Sequence, residues 1–239
     1  MIVYFCVVPG FWVAVEEARR PELRSRPLVI GGLPHQRGTV REASLPAQHH
    51  GVLPGMTLAQ AHQQCPEGIF LVPDLVHYQA GWEEVCDLLR RYTPLVEPVE
   101  MGQAVFDLSG CERLWSDGWS TGRAIALQIE RSTGITPSMG IASTRLVAQL
   151  ASMYAGADGV AMVEEGRERA FLADLPVTLL PDVDPRLALT LGVLGLRTIG
   201  QFAALPASAV GKRFGAAGKQ LYRYAHGIDP RPVLPPPDR

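Results

Sequence analysis

The run Ile2-Val-Tyr-Phe-Cys-Val-Val8, closed by Pro9-Gly10, constrains this chain more than any other feature. It is β-branched and aromatic, too short for a helix, and bounded by a turn signal, so it reads as a buried strand. Helical spacing follows at once from Phe11 to Arg20 and stops before Pro21. The whole apolar stretch from Ile2 to Val15 lacks a basic leader, is broken at Pro9-Gly10, and falls short of the roughly 20 residues a membrane helix needs. The expectation is a soluble, non-secreted, cytoplasmic protein.

Further along, Pro27 to Gly31 and Thr39 to Ala43 read as strands. The polar segment from Leu45 to Cys65 carries a helix, with Thr57 as N-cap for Leu58 onward. Ile69 to Pro73 is a short strand, Tyr78 to Tyr92 a helix, and Val96 to Leu108 an alternating strand. Ser120 to Ser132 is a periodic helix. Ser138 to Ala142 is a strand leading into a helix from Thr144 to Met153, and Val160 to Val163 closes the set. After Ala170 strands vanish and short helices take over. Thr198-Ile-Gly-Gln201 reads as a capping box, and Lys212 to Tyr224 as a helix cut by Gly215 and Gly218. The end, Pro230 to Arg239, holds five prolines in ten residues and reads as an extended linker that something normally follows.

With 239 residues, the chain has room for one large domain or two small ones. Hydrophobic residues at 47% and charged residues at 19% exclude a disordered chain. Cys6, Cys65, Cys86 and Cys111 form no C-x-x-C pair, which fits a reducing compartment and argues against a zinc ribbon or disulfide framework. His49-His50 has no carboxylate at ligand spacing and reads as a surface pair, so no metal is expected. The net charge of −2 hides an acidic middle (−7 over residues 70–165) and a mildly basic stretch (+3 over 166–229). A chain that grips nucleic acid unaided usually shows a clear basic excess, and only the C-terminal third leans that way.

Several collinear pieces resemble the Y-family (translesion) DNA polymerases. Phe11-Trp-Val-Ala-Val-Glu16, Arg20-Pro-Glu-Leu-Arg24 and Arg26-Pro-Leu-Val look like the first palm motif and the entry to the fingers. Ala43-Ser44, Gly51-Val-Leu-Pro-Gly-Met56 and Cys65-Pro66 look like the fingers. Ser138-Met-Gly-Ile-Ala142, Leu146-Val-Ala148, Ala151-Ser152 and Asp158-Gly159 look like the end of the palm. Gly195-Leu-Arg-Thr-Ile-Gly200, Phe214-Gly215 and His226-Gly-Ile-Asp-Pro-Arg-Pro232 look like the thumb. The resemblance implies an α+β fold: a palm (1–25 and 70–165) with a mixed sheet and helices on one face, and a small fingers insertion (26–69). An all-α thumb (166–229) with helix-hairpin-helix character follows, then the proline-rich linker (230–239), with the little finger absent.

The family holds two Mg²⁺ ions on acids at the end of the first strand and on the hairpin strand, where the metals neutralise developing charge during phosphoryl transfer. Those positions fall here on Val7, Pro9, Gly102 and Gln103. Val and Gly offer no side-chain oxygen, and Gln is a poor substitute for a carboxylate around a hard cation. Glu100, two residues before Gly102, is displaced by about 7 Å along a strand, and Asp107, Glu16 and Glu17 lie elsewhere. The triphosphate contacts fall on Leu45, Gln48 and Gln149, and Trp12 takes the place of the bulky residue beneath the sugar. Trp12 also reads as an ordinary core aromatic.

These losses give the expectation of a catalytically inactive, accessory branch of the family: a scaffold without cofactor that supports error-prone lesion bypass. By resemblance, its partners are a replicative-type error-prone polymerase, the sliding clamp and a RecA-like protein. A divergent active translesion polymerase and a pure protein-interaction module are the alternatives. Gly195, Arg197, Thr198, Lys212, Arg213 and Lys219 are the candidate DNA contacts, with cations and backbone N–H groups set against phosphates. Pro181-Asp-Val-Asp-Pro185 replaces a glycine turn of the family with acids, so weak, salt-sensitive DNA binding is expected.

Overall fold

The opening strand, β1 (Val3–Val7), lies at the centre of a five-stranded sheet of order β5 (Val96–Glu100), β6 (Gln103–Asp107), β1, β7 (Ser138–Ala142), β8 (Val160–Met162). The computed structural model describes residues 2–110, 117–156 and 159–235, so Cys111, Asp158 and the last four residues lie outside the described residues. β1 pairs antiparallel with both β6 (Gln103–Asp107) and β7 (Ser138–Ala142), and β7 runs parallel to β8 (Val160–Met162). Strand residues alternate between faces. Tyr4, Cys6 and Val8 therefore pack with Trp82, Val85 and Leu89 of α4 (Leu75–Arg90) and with Ile125 and Ile129 of α5 (Gly118–Thr133).

Val3 and Phe5 point the other way, against Leu146, Val147 and Leu150 of α6 (Arg145–Ser152). The two long helices share one face of the mixed sheet, as expected. The opposite face is covered as well, because a strand apolar at every position has to be buried on both sides.

Two elements differ from the sequence reading. The single strand over Val96 to Leu108 is a hairpin, β5 (Val96–Glu100) and β6, turned at Met101-Gly102 with Gly102 at φ +88°. Alternation continues through both arms, so the turn leaves no break in the pattern. The segment from Leu45 to Cys65 holds two helices rather than one. α2 (Leu45–His49) is capped by Ser44, and α3 (Leu58–Gln64) by Thr57 in a full capping box.

These helices cover a second sheet of order β3-β2-β4, in which β2 (Leu28–Ile30) lies antiparallel to β3 (Glu42–Ala43) and parallel to β4 (Ile69–Leu71). Val29, Val40, Leu58 and Phe70 belong to its separate apolar cluster. Its β3 edge faces α1 (Phe11–Arg19), the helix that follows β1.

The C-terminal third is helical: α7 (Glu168–Leu172), α8 (Pro185–Val193), α9 (Ile199–Ala203) and α10 (Ala207–Ala225). Thr198 forms the capping box of α9 with Gln201. α10 starts earlier than its periodicity shows and is broken at Gly215 (φ 62°, ψ −142°), whereas Gly218 is buried inside it. Leu172, Leu191, Phe202 and Leu221 share an apolar cluster with α6, so these helices dock on the sheet through it.

The chain then returns to the sheet. The buried Asp229 carboxylate accepts from Leu146 N–H at 3.2 Å and pairs with Arg231 at 2.7 Å, while Leu234 N–H donates to Glu97 on β5 at 3.0 Å. The described part of the proline-rich end is thus extended but attached. No described helix is long and apolar enough to cross a membrane.

Gly140 on β7 sets how closely α6 lies on the sheet. A Cβ there would stand 1.8 Å from Ala148 O and 2.4 Å from Ser152 N, both backbone atoms that cannot rotate away. Gly140→Ala is expected to lower stability by about 3 kcal/mol, the upper end for overpacking, and a thermal melt checks it.

Candidate functional site: the cleft at the end of the first strand

Where β1 ends, three segments converge. Val7 pairs across the ladder with Gln103, Val8 N–H donates to Gly102 O at 2.8 Å, and the chain turns through Pro9-Gly10 into α1. The sequence-selected positions Val7, Pro9, Gly102 and Gln103 are therefore neighbours. A cavity of about 560 Å³ opens beside Pro9, the one of the four that lines it, with Pro9, Gly10, Val13, Ala14 and Glu17 on one wall and Ala43, Ser44, Leu45, Gln48 and His49 on the other. Leu45 and Gln48 thus join Pro9 in one cleft. Gln149 lies on α6 and is not among the lining residues.

The side chains at this junction satisfy one another. Gln48 donates to Ala43 O at 2.7 Å, and the Gln103 amide donates to the Glu100 carboxylate. Trp12 stacks on Tyr78 (5.2 Å between ring centres, 25° between planes), and its Nε1–H points at Met101 Sδ at 3.3 Å. Trp12 is partly buried against the sheet core, which agrees with its reading as a core aromatic.

Glu16 is not in the cleft. It is buried, accepts from Tyr78 Oη at 2.9 Å, and pairs with Arg20 at 2.5 Å. Burial, with the hydrogen bond to Glu16 adding to it, pushes the Tyr78 hydroxyl up, so the phenol stays protonated as a donor. Glu17 lines the cavity, and burial raises its carboxyl.

Gly102 does more than fill a strand. It takes the left-handed conformation at the hairpin tip, and a Cβ there would stand 2.8 Å from Phe11 Cβ. A side chain at 102 is excluded both by its backbone angle and by contact with α1. The turn also means that Glu100 faces Gln103 across the hairpin instead of lying two residues before Gly102 on one continuous strand.

Two divalent cations do not fit this junction. The four positions supply no carboxylate, Glu100 is held by Gln103, and no group of three metal-ligating side chains occurs among the described residues. His49 and His50 sit at the end of α2, apart from any such group. Cys6, Cys65 and Cys86 are buried and unpaired by disulfides.

The C-terminal candidates lie on exposed surface. Gly195 is in a left-handed turn after α8, Arg197 N–H and Thr198 N–H both donate to Gln201 Oε1, and Lys212, Arg213 and Lys219 are exposed on α10. Arg213 lines a hollow of about 230 Å³ with Leu194, Leu196 and Phe214, so α10 and the turn around Gly195 adjoin. Within the acidic Pro181–Pro185 segment, Asp184 caps α8 by accepting from Leu187 N–H at 2.7 Å. That acid has a local structural task.

A central strand paired antiparallel with the second arm of a hairpin, a small inserted sheet, and helices after it define a fold class, that of the Y-family polymerases. The family model described as IMS, the impB/mucB/samB family, matches residues 7–153, and the chain belongs to that family. It is 36% identical over 227 residues to a protein of Dehalococcoides mccartyi named DNA polymerase IV, covering 95% of this chain and 58% of that one. The values are 37%, 95% and 57% for the DNA polymerase IV of Desulfatibacillum aliphaticivorans. For that of Alkalilimnicola ehrlichii they are 34%, 96% and 65%. The chain thus spans less than two thirds of the length of these relatives.

The crystal structure of DinB from Sulfolobus solfataricus superposes with a TM-score of 0.87 at 24% identity, covering 98% of this chain and 70% of that one, a likeness of fold.

These relatives correct the expectation of a catalytically inactive scaffold. That reading rested on the missing acids and the replaced triphosphate contacts at Leu45, Gln48 and Gln149, whereas the proteins aligned along nearly the whole chain are named as polymerases. Missing acids at four positions describe one donor set and do not outweigh kinship over 95% of the chain.

Restoring an acid at the hairpin tip has a structural consequence. Gly102→Asp is expected to lose about 2–4 kcal/mol, from left-handed strain plus the Phe11 contact. Gln103→Glu, at a ladder position with its side chain outside the core, is expected to stay within about 1 kcal/mol of the parent. Paired denaturant melts check both.

Proposed function

We propose that this chain supplies the palm (1–25 and 70–165), fingers (26–69) and thumb (166–229) of a divergent translesion DNA polymerase. The observation that carries this reading is the 34–37% identity, over 95–96% of the chain, to proteins named DNA polymerase IV. Its partner is primer–template DNA, and the setting is DNA repair by lesion bypass. Support comes from kinship and fold, not from the donor set at Val7, Pro9, Gly102 and Gln103. The sliding clamp and the RecA-like protein stay expectations of the resemblance.

DNA is held by the thumb. Gly195, Arg197 and Thr198 present a turn, and Lys212, Arg213 and Lys219 present cations on the adjoining helix, a combination suited to phosphate contacts that carry no sequence information. Asp182 and Asp184 weaken the field nearby, so binding is weak and falls steeply with salt.

Primer extension with the chain in Mg²⁺ and in Mn²⁺, beside a relative named DNA polymerase IV, tests the enzymatic reading. Template-directed addition is expected. No addition under conditions where the relative extends would overturn it. Replacing Lys212, Arg213 and Lys219 together by Ala is expected to weaken DNA binding uniformly across sequences. The slope of log K against log salt should flatten by up to about three, roughly one per lost phosphate contact. Fluorescence anisotropy over a salt series reads this.

A further inference from the structure

Helix α8 is apolar on more of its surface than the fold buries. Leu191 is its buried residue. Leu189 and Val193, four residues apart and so on one side of the helix, are 73% and 89% exposed, and Leu194 just after them is 41% exposed. A helix that stays apolar outside its packed stripe, with its exposed residues contiguous, marks a docking surface rather than a stray surface leucine.

Beside this stripe a groove runs between α8 and the first half of α10. At one end Leu194, Leu196, Leu205 and Phe214 enclose the apolar hollow of about 230 Å³. At the other end Asp184, Arg186 and Thr190 border a more open space of about 550 Å³. Arg213 and Phe214 line both, so the two spaces form one continuous groove. The Arg213 guanidinium stands 5.9 Å from the centre of the Phe214 ring, at the boundary between the apolar and the polar end.

The charge along this groove is one-sided. Arg186 and Arg213 are exposed, and neither has an acid partner among the described residues. Asp184 is occupied, since its carboxylate accepts from Leu187 N–H at 2.7 Å. Asp182 lies where its charge favours that of Arg231. Two guanidinium forks therefore stand open to carboxylates, which they match in geometry. A nucleic-acid backbone would answer the arginines but bring nothing apolar to the hollow.

We propose that the α8–α10 groove docks an acidic amphipathic helix of a partner protein, with one large apolar side chain in the hollow at Leu194 and Leu196 and carboxylates against Arg213 and Arg186. Arg186 and Leu194 are eight residues apart, about 12 Å along the axis. A partner helix antiparallel to α8 covers that span with an apolar anchor at i and acids at i+4 and i+8. Its apolar residues at i+3 and i+7 then fall on the flank that Leu189 and Val193 present. The surface is remote in sequence from the cleft residues and the contact makes no use of nucleotide addition. A chain that extends no primer still reports peptide binding, so this test and the primer-extension test fail separately.

Fluorescence anisotropy of the full chain with a labelled, end-capped peptide of about 18 residues, long enough to hold a helix, reads the contact. The probe carries Leu at i, i+3 and i+7 and Glu at i+4 and i+8. One control has Lys for each Glu, and a second has Ser for the anchor Leu. The acidic probe is expected to bind at least about tenfold tighter than either control. Arg186→Glu and Leu194→Ser should each weaken it about tenfold, and Val193→Ser, on the flank, about threefold. All three residues are exposed, so thermal melts should match the parent. Arg186→Gln preserves the test if Arg186→Glu folds poorly.

Leu194→Ser should leave the affinity for a DNA duplex within about twofold of the parent, because phosphate contacts do not use the hollow. No binding of the acidic probe, equal binding of the acidic and basic peptides, or binding that survives both Arg186→Glu and Leu194→Ser would overturn the proposal. So would an equal loss of duplex affinity in Leu194→Ser, which assigns the groove to nucleic acid. A concentration-dependent dimer abolished by Leu194→Ser in sedimentation would overturn it too, by assigning the groove to a second copy of this chain.

Discussion

A strand hydrogen-bonded along both edges and buried on both faces leaves its neighbours few choices. β1 pairs residue for residue with β6 and β7, and its side chains alternate between two separate apolar clusters. One cluster holds α4 and α5; the other holds α6 and, through it, the C-terminal helices. Because β1 anchors both, the place where it stops is fixed relative to every other layer. Pro9 and Gly10 end the strand, the hairpin tip reaches it through the Val8–Gly102 hydrogen bond, and α1 departs from it toward the smaller sheet. The candidate cleft is a consequence of that termination.

Polar groups around the cleft are committed to structure. Gln103 holds Glu100, Gln48 holds its own backbone, Glu16 holds Tyr78 and Arg20, and Glu42 holds α1. Buried polar groups that complete one another make a junction rigid and specific. The same commitments leave no cluster of free carboxylates for hard cations among the described residues. The polymerase fold is preserved here with a different internal chemistry at the strand end, and kinship with proteins named DNA polymerase IV, rather than the donor set, carries the functional reading.

Much of this was legible along the chain. The β1 run, the Thr57 N-cap, the Thr198 capping box, and the two long amphipathic helices are local patterns, and local patterns survive into the fold. The resemblance gathered Val7, Pro9, Gly102 and Gln103 as one set, and the ladder does bring them together. The hairpin was missed because alternation runs unbroken through a two-residue tip. α2 was missed because its five residues include Pro46 and show no period. Reading the missing acids as lost catalysis went too far, since the absence of one donor set says nothing about the relatives the rest of the chain aligns with.

Glu42 marks the boundary between the two kinds of information. In the sequence it is one acid in a weak strand, with nothing to tie it to Trp12 or Val13; in the structure it completes a helix that cannot cap itself. Residue order alone determined most of the elements, the family and the apolar faces, because propensity, periodicity and capping act over a few neighbouring residues. Only tertiary structure decided which carboxylates are free and which are occupied, that Gly102 admits no side chain, and which wall of the cleft each polar group serves. Those outcomes depend on distances between residues tens of positions apart, which are set when the two sheets pack against α1.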